Sequence, residues 1–222
     1  MKLFVKIVIS LLLLISLTSC FDILDKVTLK SDGSGEYSLI LNASKSKTRI
    51  ASLSKMQTVN GKKFPTKAEI QTKINAAAAT FTSIPGISNV KTSADLENYI
   101  IKLSCSFKKI ENINEGIKLL KTKKIIGKMF PSLLYTNDIV QKSFTKNKIN
   151  SYKSDYDKLG VADKEIFNTA KYISILQFQN VIKSQSNSAF AISTDRKALK
   201  LEGNILDFIL QKKQINNTIL FK

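Results

Sequence analysis

The chain has 222 residues, with 35 Lys and Arg against 17 Asp and Glu, a net charge of +18. It holds no histidine and no tryptophan, which removes the commonest general base, the commonest metal ligand and any serine–histidine triad. Arg49 and Arg196 are the only arginines, so the forked donor that reads phosphate or carboxylate by shape is nearly absent. A lysine-rich balance favours anionic partners such as phospholipid headgroups or acidic glycans. The scarcity of arginine weighs against nucleic acid. A chain rich in Lys, Asn and Ile also has a bland explanation in an AT-rich genome.

Two lysines, Lys2 and Lys6, open the chain. Ile7 to Leu17 is then apolar apart from Ser10 and Ser16. The apolar run is shorter than the roughly 20 residues a bilayer span needs. A basic start, a short apolar stretch and small residues after it define a secretory signal over residues 1–19. Leu17-Thr18-Ser19-Cys20 resembles the lipobox of bacterial lipoproteins. That resemblance implies diacylglyceryl transfer to the Cys20 thiol, cleavage between Ser19 and Cys20, and acylation of the new amine. Two or more acyl chains anchor stably where one does not.

Cleavage there leaves residues 20–222 and removes two of the 35 basic residues, so 33 stand against 17 acidic ones. No Pro/Gly/Ser linker divides this stretch, so one domain over 20–222 is expected. With Cys20 lipidated, Cys105 is the sole thiol and no internal disulfide is possible.

Phe21 to Asp25 reads as a short apolar-acidic leader. Val27 and Leu29, then Tyr37, Leu39 and Leu41, alternate with polar residues around Ser31-Asp32-Gly33-Ser34-Gly35. That pattern is a β-hairpin. Ala43 to Thr58 reads as a helix with Ile50, Leu53 and Met56 on one face. Lys45, Lys47, Arg49 and Lys55 make it basic. Such a helix can lie on an anionic membrane surface, and an ordinary solvated helix has the same pattern. Thr66 and Glu69 form a capping box before Ile70, Ile74, Ala77, Ala78 and Phe81, and Pro85-Gly86 ends that helix.

Asn98 to Lys108 alternates as a strand, with Tyr99, Ile101, Leu103, Cys105 and Phe107 on one face. Cys105 there is expected to be buried packing, since burial raises a thiol's pKa. Asn112 and Glu115 are expected to cap a helix with Ile113, Ile117 and Leu120 inward and Lys121, Lys123 and Lys124 at its end. Ile139 to Ile149 reads as a strand pair or one irregular strand, with Tyr152 and Tyr156 as partial core. Asp163 to Lys171 reads as a short helix. Strands are expected over Tyr172–Ile182, Ser188–Ser193 and Lys197–Leu201, with a turn over residues 193–197, and over Asn217–Phe221. The fold class is therefore α+β: a mostly antiparallel sheet opening with a hairpin, helices on one face.

Carboxylates are scattered, with Asp22 and Asp25 beside the lipidation site and Asp32 in a turn. No phosphate-binding loop, nucleophile elbow or metal-ligand spacing occurs, so neither an enzyme nor a cofactor or metal is expected. A lipobox cysteine followed closely by such a hairpin is similar to short bacterial lipoproteins without an assigned function, especially from Bacteroidetes. Val27–Leu41 and, more weakly, Asn187–Leu201 also resemble the LppM-type lipoprotein domain. The resemblance implies a lipid-anchored domain in the cell envelope, outside the cytoplasm and held to the inner or outer membrane. It implies a non-enzymatic binding or structural role, with anionic lipid or glycolipid as a candidate contact. A periplasmic or surface module for a protein or acidic glycan is the alternative.

Overall fold

The computed structural model describes residues 21–56, 58, 63–126, 133–148 and 152–222. The expected signal peptide over residues 1–19 and the expected lipidation site Cys20 lie outside the described residues.

The opening hairpin is present. Strand β1 (Asp22–Leu29) pairs with β2 (Gly35–Asn42) from Asp22↔Asn42 to Leu29↔Gly35. Asp32 Oδ1 accepts from the Ser34 amide at 2.9 Å and its hydroxyl at 2.7 Å, which closes the turn. Gly35 begins the return because a Cβ there would lie 2.0 Å from the Thr28 carbonyl oxygen. The expected leader is part of β1, since pairing starts at Asp22.

A 3₁₀ turn (Ser44–Ser46) leads into α1 (Lys47–Ser54), shorter than the expected helix and with no fully buried residue. Helix α2 (Lys67–Thr82) carries the expected capping box. The Glu69 amide donates to Thr66 Oγ1 at 3.1 Å and the Thr66 amide to Glu69 Oε2 at 2.7 Å. Strand β3 (Ile87–Asp95), absent from the sequence reading, pairs with β4 (Ile100–Phe107). It is an edge strand with most side chains exposed, so no apolar alternation marks it.

Helix α3 (Glu111–Thr122) buries Ile113, Ile117 and Leu120 as expected. Its N-cap is Ile110 with no side-chain cap, which corrects the expected Asn112/Glu115 box. Asn112 instead accepts from the Lys109 amide and donates to the Pro85 carbonyl, tying the helix start to the preceding turn.

Strands β5 (Leu133–Asp138) and β6 (Ser143–Lys148) form a hairpin. Ile139 and Val140, expected in a strand, form its turn, with Val140 94% exposed. Asp138 takes the Gln141 amide at 2.9 Å, so side-chain capping chemistry outweighs β propensity there.

The remaining elements are α4 (Lys153–Asp157), α5 (Val161–Asn168), β7 (Lys171–Phe178), β8 (Ile182–Gln185), β9 (Ala191–Ile192), β10 (Ala198–Asn204), α6 (Ile205–Ile209) and β11 (Asn217–Phe221). The expected strand Tyr172–Ile182 is divided between β7 and β8, which belong to different sheets. The strand expected over Ser188–Ser193 is only the short β9.

Two sheets result, with strand orders β3-β4-β2-β1-β7-β10-β9 and β5-β6-β11-β8. Ladders are antiparallel except β1/β7. One face of the larger sheet presents Val27, Leu29, Tyr37, Leu103, Cys105, Leu176, Phe178, Leu199 and Leu201 to the core. Helices α2 and α3 and the smaller sheet supply the other side of that core. Phe178 joins the sheets through Phe144 at 5.3 Å and Phe221 at 4.9 Å between ring centres. The second sheet is an addition to the single sheet that was expected. The α+β class holds.

Candidate functional site

Two features combine unusual chemistry with burial. The first lies between the sheets. Asp25 and Lys146 are both almost fully buried and form an ion pair. The ammonium also donates to the Tyr172 hydroxyl at 2.9 Å and to Ser174 Oγ at 2.7 Å. Its three N–H groups therefore meet three acceptors. The Asp25 carboxylate accepts from Tyr135 at 2.8 and 2.9 Å and from Tyr172 at 3.0 Å.

Burial, with Asp25 close by, pushes the hydroxyls of Tyr135, Tyr172 and the neighbouring Tyr37 well above the usual tyrosine range. They remain donors. Burial pulls Lys146 down, and Asp25 opposes it. Neither Asp25 nor Lys146 borders any of the hollows described below. A satisfied, solvent-free pair joining β1 to β6 fixes how the sheets sit, and gives a substrate no access.

The second feature is a hollow of about 490 Å³ at one end of the larger sheet. Asp22 pairs with both Asn42 and Lys171, and Asn42 pairs with Ile100, so four strand ends meet there. Phe21 is the residue before β1 and Ile23 lies near its start, and Leu41, Asn42 and Ala43 come from the end of β2 and the residue after it. Ile50 of α1, Ile70 of α2, Phe167 of α5 and Phe208 of α6 close over the strand ends. Tyr99, Ile101, Tyr152 and Tyr172 complete much of the wall. Among the described residues, Asn42 and these tyrosines are the polar members of the lining, and none of its members is charged. Aromatic edges pack it: Phe21 on Phe167 at 6.2 Å, Tyr172 on Phe208 at 5.5 Å.

A second hollow of about 200 Å³ beneath α2 shares Leu41, Ile70 and Ile101 with the first. The volume of the first lies within the ~300–1,000 Å³ of small-molecule sites. Tyr99 adopts φ +54°, uncommon for a ring-bearing residue, and its carbonyl takes the Ala43 amide at 3.0 Å. Such backbone costs about 1–3 kcal/mol and clusters at functional sites.

None of the basic residues singled out in the sequence lines this hollow. Ala43 and Ile50 face inward, while Lys45, Lys47 and Lys55 are exposed and Arg49 is half-buried. Lys45 pairs with Asp22 at 3.5 Å, next to Phe21. Lys47 donates to Asn98 at 3.0 Å, next to Tyr99. Two lysines thus sit beside wall residues, at the rim.

Tyr152 is buried as expected and forms part of the wall. Cys105 is buried, and burial pushes its thiol up to about 12. Little thiolate exists at neutral pH. Native protein is expected to resist iodoacetamide until it is unfolded by denaturant. Rapid alkylation without denaturant would contradict that placement.

Sequence reasoning singled out neither the hollow nor the ion pair. For the pair a signal exists: Asp25 shares parity with Ile23, Val27 and Leu29, so on a strand it must enter the apolar face. The hollow had no such signal, because its walls come from many separated segments.

No family model matches the chain, and no curated protein matches it. Among solved structures the chain is similar to the folded domain of the LppM protein of Mycobacterium tuberculosis, determined by NMR. The two are 9% identical with a TM-score of 0.44, over 91% of each chain. Among the described residues, no helix is long and apolar enough to cross a membrane.

Proposed function

We propose that this chain is an envelope lipoprotein, anchored through Cys20, whose domain is a non-enzymatic module that holds an acyl chain of a lipid. The apolar hollow of about 490 Å³ carries this reading. Among the described residues its lining offers apolar contact surface without a charged group, which suits hydrocarbon. Each methylene moved there from water contributes about 0.8 kcal/mol. Lys45, Lys47, Arg49 and Lys55 run along α1 and the turn before it, and Ala43 and Ile50 of the same stretch form wall. An anionic headgroup there would meet Lys45 and Lys47, which are held beside Phe21 and Tyr99 of the wall, at roughly 1 kcal/mol per lysine near a charged surface.

The test uses the full mature chain exported without lipid, by Cys20→Ala behind an ordinary signal peptide. Saturable uptake of a free fatty acid is expected, with preference for anionic over neutral vesicles. Replacing Lys45, Lys47, Arg49 and Lys55 by serine is expected to remove the vesicle preference and leave fatty-acid uptake intact. No uptake would sink the lipid reading, and equal affinity for both vesicles would sink its electrostatic part.

One observation favours a second reading. The uncovered face of the larger sheet forms an open hollow of about 710 Å³ bordered by Lys26, Lys91, Lys102, Ser104 and Ser106. A periplasmic or surface partner such as an acidic glycan would suit it, although antiparallel sheets often leave one face to solvent. Glycan binding weakened by Lys91→Ser and Lys102→Ser, and indifferent to fatty acid, would support this reading over the first.

A further inference from the structure

We infer that the occupant of the apolar hollow is an acyl chain of the protein's own N-terminal lipid, folded back from Cys20 into the domain. The inference rests on the lipid-binding reading above and names the source of the chain. Its basis is covalent distance. Phe21 is itself wall, and its carbonyl takes the Lys171 amide at 3.0 Å, so the fold grips the chain one residue after Cys20. One peptide step spans about 3.8 Å between Cα atoms. A thioether-linked lipid on Cys20 is therefore attached one residue from a wall residue of the hollow.

The local concentration of a tethered chain exceeds that of a free competitor, because a short tether makes binding intramolecular. The anchor survives the withdrawal of one chain. Full lipidation supplies diacylglyceryl plus an amine-linked acyl group, and two chains in the bilayer are enough for stable attachment. The arrangement also holds the start of β1 and the lysines at the rim close to the headgroups.

Photocrosslinking of the intact lipoprotein tests this. Cells are fed a diazirine-bearing fatty acid, which lipidation places on Cys20, and are then irradiated. The expected product joins the Cys20 peptide to a peptide carrying Ile50, Phe167 or Phe208. In Ala43→Trp, which places an indole in the hollow, that product is expected to fall at least tenfold while membrane attachment persists. Crosslinks from the wild-type Cys20 lipid to bilayer phospholipid alone would overturn the inference, as would internal crosslinks that Ala43→Trp leaves unchanged.

The unlipidated mature chain bearing Cys20→Ala separates the two readings. If it takes up the same diazirine fatty acid while the lipidated form crosslinks only to bilayer, the hollow holds lipid but not its own. If it takes up none, the lipid-binding reading falls too. The wild-type measurement decides even if Ala43→Trp fails to fold.

Discussion

Lys146→Met is expected to destabilise the protein by about 3–5 kcal/mol, read as a lower urea midpoint. Removing the ammonium leaves the Asp25 carboxylate buried between the sheets, with only tyrosine hydroxyls to compensate it. A domain of ordinary stability has about 5–15 kcal/mol in all, so the loss is a large share of it. The origin of the loss is an uncompensated charge, not a missing contact. Removing the charge as well should therefore restore stability. Asp25→Leu with Lys146→Met is expected to lose less than Lys146→Met alone. Adding Tyr135→Phe and Tyr172→Phe, which removes the hydroxyls left without an acceptor, is expected to bring the midpoint near wild type. Lys146→Met within about 1 kcal/mol of wild type would refute the compensation argument.

Ala43→Trp is expected to weaken fatty-acid uptake by the unlipidated mature chain more than tenfold, with thermal stability unchanged or higher. Ala43 is small, directly follows β2, and is wall of the hollow. An indole there occupies the space an acyl chain would take and adds van der Waals contact to a lining that lacks it. Loss of uptake with retained stability separates occupation of the hollow from damage to the fold. Because the chain has no tryptophan of its own, the new indole also reports directly on its surroundings. A blue-shifted emission would place it inside. Unaltered uptake would mean that the fatty acid binds elsewhere.

The hairpin over Asp22–Asn42, the capped helix Lys67–Thr82, the apolar row through Leu103, Cys105 and Phe107, and the closing strand Asn217–Phe221 were legible in the sequence. Each is an element whose own apolar period faces the core, so its pattern survives whatever packs on it. Where no periodic face is buried, the reading failed. Strand β3 lies at an edge, and Ile139-Val140 is an apolar pair spent on a turn. The strand expected over Tyr172–Ile182 crosses from one sheet to the other, a division set by which partner each half finds.

The sequence by itself determined the fold class, the composition that disfavours histidine chemistry, and the expectation of an anchored chain at Cys20. Only the tertiary structure decided what surrounds Phe21, the residue after the expected anchor. Asp25 and Lys146 are 121 positions apart, and they meet because β1 and β6 face each other across the core. The hollow gathers residues from Phe21 to Ile215. A cavity is a property of how separated segments fail to fill a volume between them. Local periodicity records which face of an element is buried, but not how completely the space behind it is packed.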